Sequence, residues 1–239
     1  VLKPRAILLR NDSPLRQVEG LEQKIEDALG STPDTLTIEE NGCRFLVSPR
    51  QGQKTGWYFD HRDNRARMQR LAQGQRVLDL FSYTGAWGLQ AASAGADQVT
   101  LVEASAPSQE RARENAAENG LTERVEVLTG DAFALLKQLR AERRRFDLVI
   151  ADPPAFIKRK KDHKAGTDAY RRLNQLGLQL LKPGGILITS SCSFHFSREQ
   201  LQNVTRQAAL NNRQAIQILA YGQQGPDHPI HPSIPETAY

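Results

Sequence analysis

The segment Arg76-Val-Leu-Asp-Leu-Phe-Ser-Tyr-Thr-Gly-Ala-Trp-Gly88 is an apolar strand that stops at an aspartate and turns through small residues into a helix. Strand, tight turn and helix form the unit of an open α/β sheet, and the crevice beyond the carboxyl ends of such strands is where these sheets hold nucleotide-like ligands. The unit repeats along the chain. Apolar runs at 77–80, 98–103, 125–129, 146–151 and 185–190 read as strands with helices between them, and 215–220 reads as a further strand at the sheet edge. Residues 107–119 read as a helix stopped by Asn119-Gly120, 170–181 as one stopped by Lys182-Pro-Gly-Gly185, and 198–212 as a last helix.

Ahead of these repeats the pattern changes. Residues 36–40 and 44–48 alternate apolar and polar side chains around Asn41-Gly42, the dipeptide of a tight β-hairpin, and Ala6-Ile-Leu-Leu9 is a short run before the turn Asn11-Asp-Ser-Pro14. The expected organisation is a small β-rich lobe over 1–68, leading into the ligand pocket, and a sheet domain over 69–239. A chain of 239 residues with 39% hydrophobic content can bury a full core. No apolar run approaches the roughly 18 residues of a membrane helix, and no cleavable leader is visible. With Val1 first and Met68 the only methionine, the chain reads as a piece of a longer or processed protein. Its two cysteines, Cys43 and Cys192, fit a reduced, cytoplasmic setting better than a disulfide framework. No metal is expected.

Four polar strand ends follow one another. Asp79 closes the first strand, and Phe81, Tyr83, Thr84 and Gly85 form its turn. Glu103 closes the second, Asp131 with Ala132 follows the third, and Asp152 follows the fourth. Asp79 reads equally as a helix cap, and Glu103 as an ordinary exposed acid; their spacing is what joins them. Gly85 and Gly88 let the backbone approach a ligand, Glu103 can take both hydroxyls of a ribose, and Asp131 with Ala132 can face an adenine. The G-x-G-x-x-G turn of a dinucleotide fold is missing, and Tyr83 stands where a glycine is more usual. This order of strand ends resembles the class I S-adenosylmethionine (SAM)-dependent methyltransferases. That implies a Rossmann-like, mostly parallel, seven-stranded α/β sheet with helices on both faces.

Asp152-Pro-Pro-Ala-Phe156 adds a substrate side. Consecutive prolines offer no N–H donors and cannot extend a sheet ladder, so Pro153 and Pro154 make a rigid rim rather than more strand. Such a rim can hold a flat base taken out of its stack, with Asp152 at the amidine edge and Phe156 free to stack. A plain turn at a strand end is the alternative. Lys158, Arg159, Lys160 and Lys161 follow at once, in a chain with 32 Lys+Arg against 27 Asp+Glu; they read either as a solvated loop or as contacts to RNA phosphates. Cys192 falls just past the fifth strand, on the same edge as Asp152. By residue type it fits a small buried hydrophobe. By position it fits a nucleophile: a thiolate adding to carbon-6 of a pyrimidine makes carbon-5 an enamine carbon able to attack a methyl donor. That use needs neighbours that favour the thiolate. Cys43, in the hairpin, reads as structural.

From about residue 18 to 239 the chain resembles the bacterial large-subunit (23S) ribosomal RNA cytosine-5 methyltransferase family. The residues carrying the resemblance are Glu19-Gly-Leu21, Glu40-Asn-Gly42, Gly52-Gln-Lys-Thr-Gly56, Asp60-His-Arg-Asp-Asn-Arg65, Asp79-Leu-Phe-Ser-Tyr-Thr-Gly85, Asp152-Pro-Pro-Ala-Phe156 and Ser191-Cys-Ser193. The resemblance implies that Lys54, Asp60 and Arg62 reach the cofactor pocket, that Cys192 is the nucleophile and that Asp152 orients the base. It also implies an RNA-binding PUA domain ahead of residue 1. A related branch methylates guanine at a ring nitrogen and needs no cysteine after the fifth strand, and Cys192 argues against it. Some cytosine-5 enzymes use a second cysteine where this chain has Pro154, so the base that takes the carbon-5 proton stays open between Asp152 and water. The alternatives are methylation of a ring or exocyclic nitrogen and a SAM- and RNA-binding scaffold without turnover.

Overall fold

The structure is a computed structural model and describes residues 3–234. Two antiparallel hairpins come first. Strand β1 (Ile7–Asn11) pairs with β2 (Lys24–Leu29) across the short helix α1 (Pro14–Val18), and β3 (Leu36–Glu40) pairs with β4 (Cys43–Val47). Asn41 and Gly42 both adopt positive φ, 51° and 81°, the conformation a two-residue hairpin turn demands. Strand β2 is not visible in the sequence because Lys24-Ile-Glu-Asp-Ala-Leu29 is charged and nowhere fully buried. Helix α2 (Arg62–Gln69) then leads into β5 (Arg76–Leu80), α3 (Ala86–Ser93), β6 (Gln98–Glu103), α4 (Ala106–Glu118), β7 (Val125–Thr129), α5 (Ala132–Ala141), β8 (Phe146–Ala151), α6 (His163–Leu180), β9 (Leu181–Thr189) and α7 (Arg198–Asn211).

The sheet runs β7-β6-β5-β8-β9, all parallel. The chain steps outward from β5 to β7 and then returns to β8, so the strand order reverses between β5 and β8, the place where open α/β sheets bind ligands. Alternation along β5 sorts the core. Val77 joins Trp87, Leu89, Leu101 and Ala112 on one face, and Leu78 and Leu80 join Val102, Leu136, Val149 and Leu173 on the other. Burial on both faces explains why these strands are apolar runs rather than alternating ones. The hairpin residues Cys43, Phe45 and Val47, with Trp57 and Met68, pack into the first of these faces.

Three expectations change. The sheet has five strands among the described residues, not seven. Residues 215–220 form no strand, because none of the described residues pairs with them, and Ile216, Ile218 and Leu219 stay exposed. Helix α6 begins at His163 rather than near residue 170; it ends at Leu180, where Lys182-Pro-Gly-Gly185 is expected to stop it, and those four residues already belong to β9. The reason is a bulge: Phe146 pairs with Leu181 but Leu148 pairs with Ile186, so the extra residues are absorbed there, with Gly184 at φ 79°. No helix among the described residues is long and apolar enough to cross a membrane.

One buried ion pair joins the β3–β4 hairpin to α2. Arg65 of α2 donates from Nε and Nη2 to the two carboxylate oxygens of Glu40, at 2.6 and 3.0 Å, with both side chains at most 2% exposed. Trp57 Nε1 and Gln90 Nε2 complete the shell of Glu40 at 3.0 and 2.8 Å. Removing one partner of such a pair strands a charge in the core. Arg65→Met is therefore expected to cost about 3–5 kcal/mol, measured by urea unfolding, and Glu40→Gln added to it should recover part of that loss.

Candidate active site

The turn after β5 is built on strained backbone. Phe81, Tyr83 and Gly85 have φ of 60°, 51° and 89°, a region that side-chain-bearing residues seldom enter outside functional turns. Gly85 N closes the turn onto Ser82 O at 2.8 Å. A Cβ on Gly88 would lie 2.2 Å from Leu101 Cδ2 and 2.9 Å from Val99 Cγ1, so the room this glycine frees lets α3 approach the sheet. Tyr83, where a glycine is more usual, uses its side chain elsewhere. Its hydroxyl accepts from Gln53 N at 3.0 Å and its ring meets Tyr58 edge-on at 5.7 Å, which ties the 49–56 loop to the turn.

The acids at the strand ends differ in state. Asp79 is fully buried; one oxygen accepts from Gly88 N at 2.8 Å and the other has no hydrogen-bond partner. Burial pushes its carboxyl up to about 8 against the opposing Gly88 bond, with the Asp152 and Glu103 charges adding to the rise. Glu103 accepts from Tyr83 N at 2.9 Å and Ser105 N at 2.8 Å, and stays partly open to solvent. Asp131 caps α5 by accepting from Ala134 N at 2.9 Å, while Ala132 is buried beneath it. Thr84 is buried too, its hydroxyl without a partner.

The 49–56 loop is held from behind, which the sequence does not announce. Arg10 Nη1 of β1 donates to Pro49 O, Gly52 O and Lys54 O at 2.8, 3.1 and 3.1 Å. Lys54, at φ 49°, lays its ammonium over the Tyr58 ring at 4.6 Å. Asp60 is buried, and its carbonyl accepts from Gly225 N at 2.9 Å. Arg62 reaches Asp227 at 3.0 Å.

Asp152 stands at the carboxyl end of β8, across the switch point from the β5 turn. Its Oδ2 accepts from Trp87 Nε1 at 3.0 Å, its Oδ1 accepts from the Ser190 hydroxyl, and His61 Nε2 lies 3.6 Å from Oδ1. None of these three neighbours was singled out from sequence. Each comes from a different segment, and only the fold brings them together. Pro153 is buried and Pro154 exposed. Phe156 packs among Tyr170, Phe133 and Phe81, with ring centroids 4.8, 6.1 and 6.3 Å away, so this half-buried ring is engaged in the protein rather than free as expected.

The Ser191-Cys-Ser193 loop is stapled in place. Ser191 Oγ donates to Tyr170 Oη at 2.8 Å, Tyr170 Oη lies 2.8 Å from Ser193 Oγ, and Ser193 Oγ accepts from Ile157 N at 3.1 Å. Between these serines, Cys192 sits with Sγ 3.9 Å from Pro153 O. The residue is exposed. Its local enclosure and then the Asp152 charge push the thiol up from its ordinary value, and only the Lys54 ammonium and a backbone hydrogen bond work against them. The expected thiolate-favouring surroundings thus reduce chiefly to Lys54. Lys158, Lys160 and Lys161 are exposed beyond Phe156, and Arg159 is paired with Asp162 at 3.0 Å. Cys43 is buried in the hairpin.

Comparison with known proteins shows the family to which the chain belongs. A protein named ribosomal RNA large subunit methyltransferase I from Aeromonas salmonicida is 39% identical over 98% of this chain and 60% of its own length. The protein of the same name from Shewanella denitrificans is 40% identical, over 98% and 59%. The chain thus spans about 60% of the length of these curated relatives. Among solved structures, SMU.776 complexed with SAH superposes with a TM-score of 0.81 at 26% identity, over 90% of this chain and 57% of that one. Residues 21–216 match the family described as S-adenosylmethionine-dependent methyltransferase, and the chain belongs to that family.

Proposed function

We propose that this chain carries a SAM-dependent methyltransferase centre that modifies carbon-5 of a cytosine in large-subunit ribosomal RNA, working in the cytoplasm through a covalent adduct on Cys192. The observation that carries the reading is the thiol of Cys192 fixed 3.9 Å from Pro153 O, on the same sheet edge as Asp152. The relatives named as large-subunit ribosomal RNA methyltransferases support the choice of RNA.

The residues fit SAM. The Glu103 carboxylate takes two backbone N–H groups and still faces solvent, which leaves acceptor capacity for ribose hydroxyls. The turn of Phe81, Tyr83, Thr84 and Gly85 would cradle the methionine end, Asp131 and Ala132 would face the adenine, and Lys54, Asp60 and Arg62 would close the pocket from the 49–65 side. When bound, SAM supplies an electrophilic methyl on a cationic sulfonium. The remaining work falls to the chain. Pro153, Pro154 and Phe156 frame the flipped base, and Asp152 engages its N3 and amino edge. Cys192 adds to carbon-6, which makes carbon-5 nucleophilic. Lys54 favours the thiolate that this step needs. After methyl transfer Asp152 or water takes the carbon-5 proton, its electron pair re-forms the carbon-5–carbon-6 double bond, and the carbon–sulfur bond breaks to free Cys192 as a thiolate. Lys158, Lys160 and Lys161, with Arg159, lie where phosphates flanking the base would pass.

Two outcomes test these assignments. Glu103→Ala should weaken SAM binding by about tenfold to a hundredfold, the worth of hydrogen bonds to a charged acceptor, as read by calorimetry; unchanged affinity would remove Glu103 from the ribose. RNA bearing 5-fluorocytosine should become covalently trapped after methyl transfer, because fluorine cannot leave as a proton does. Cys192→Ala should abolish both trapping and turnover while SAM affinity holds. An alanine variant that methylates at the normal rate would make Cys192 a spectator and favour nitrogen methylation.

A further inference from the structure

The Asp152 carboxylate has an imidazole neighbour that the proposed reaction has not used. His61 lies just before α2, with Nε2 3.6 Å from Asp152 Oδ1 and its ring centroid 5.4 Å from that of Trp87. Its other nitrogen, Nδ1, is 3.1 Å from Asn64 Nδ2. The same Asn64 nitrogen is 3.0 Å from Gln223 O. A backbone carbonyl can only accept, so the amide atom facing it must be the NH₂ group, and this fixes which way Asn64 is turned. That NH₂ also faces His61 Nδ1, which must therefore offer its lone pair. In the neutral ring the proton is then on Nε2, the nitrogen nearest Asp152.

We propose that His61 is a positioning residue that holds the Asp152 carboxylate through its Nε2–H, in a tautomer set by Asn64 and Gln223. The inference rests on the reading of Asp152 as the group that orients the base. At 3.6 Å the contact is longer than a hydrogen bond, and contacts of this kind commonly tighten only in the Michaelis complex. With Trp87 on Oδ2 and Ser190 on Oδ1, the His61 contact adds a further restraint on the plane of the carboxylate. The relay begins far away in sequence. Residues 221–227 are also tied to this part of the chain by Arg67 Nη1 to Tyr221 O at 3.0 Å, Gly225 N to Asp60 O at 2.9 Å, and Arg62 to Asp227 at 3.0 Å. The seating of that segment thus reaches Asp152 through Asn64 and His61.

The test has an arm that does not depend on turnover. Nitrogen NMR of the protein carrying isotope-labelled histidine should show His61 protonated at Nε2, and Asn64→Leu should convert it to a mixture of tautomers; an Nδ1-protonated ring in the unaltered protein would overturn the proposal. In the second arm, single-turnover methyl transfer is measured on an unmodified transcript of large-subunit ribosomal RNA. His61→Leu should slow it by roughly 10- to 100-fold, as a misplaced group does, with SAM affinity unchanged. His61→Gln, which can present an amide N–H at similar reach, should recover most of the rate. Equal losses in the two variants, or no loss in either, would contradict the role. An unaltered protein that methylates none of this RNA would count against the proposed function, and the tautomer would still decide the place of His61.

Discussion

Glu40 is a carboxylate the fold cannot leave alone. Buried at the end of β3, it would cost several kcal/mol as an isolated charge, so it gathers Arg65, Trp57 and Gln90 around it. Those partners come from α2, from the chain before it and from α3. Satisfying one acid therefore sets the hairpin, the 57–65 segment and the first sheet helix in a single arrangement. Asn41, in the adjoining turn, extends the lock by donating to Gln90 Oε1 at 2.8 Å and to Arg62 O at 3.0 Å. The Arg65 guanidinium also lies 5.3 Å from the Trp57 ring and 6.0 Å from the Trp87 ring, so the residue that neutralises Glu40 also buttresses a donor to Asp152.

From that arrangement the site assembles with little freedom. His61 precedes the helix that carries Arg65, and Trp87 is on the helix that carries Gln90, so both arrive beside Asp152 because Glu40 has placed their elements. The opposite wall is fixed independently. Tyr170 of α6 stands between Ser191 and Ser193 and stacks on Phe196 at 4.6 Å with rings 8° from parallel, which holds the cysteine loop against the proline rim. Pre-positioned groups of this kind spare a reaction the entropy of collecting them. The strain in the Phe81 and Tyr83 backbone belongs to the same logic: the turn is over-determined by its hydrogen bonds and by the 49–56 loop.

How much of this could be read from the chain depends on how local the cause is. Strands buried on both faces declare themselves as apolar runs, and Asn41-Gly42 declares its hairpin through the dihedrals that only such residues accept readily, so the β3–β4 hairpin and all the sheet strands were legible. Asp79, Glu103, Asp131 and Asp152 were legible because parallel topology puts every strand end on one edge. What stayed hidden depends on contacts between distant segments. Lys182-Pro-Gly-Gly185 does mark the end of α6, but nothing local shows that the same residues also form the bulge at the start of β9. The strand expected at 215–220 has the right side chains, but a strand exists only when something pairs with it. His61, Trp87, Ser190 and Arg10 carry no spacing signal, since each acts on a residue at least 38 positions away.

The most direct measurement is mass spectrometry of the nucleosides from large-subunit ribosomal RNA incubated with SAM and the protein. Transfer through a Cys192 adduct predicts that the methyl group appears as 5-methylcytidine. A methyl group found on a ring or exocyclic nitrogen, with no 5-methylcytidine, would contradict it.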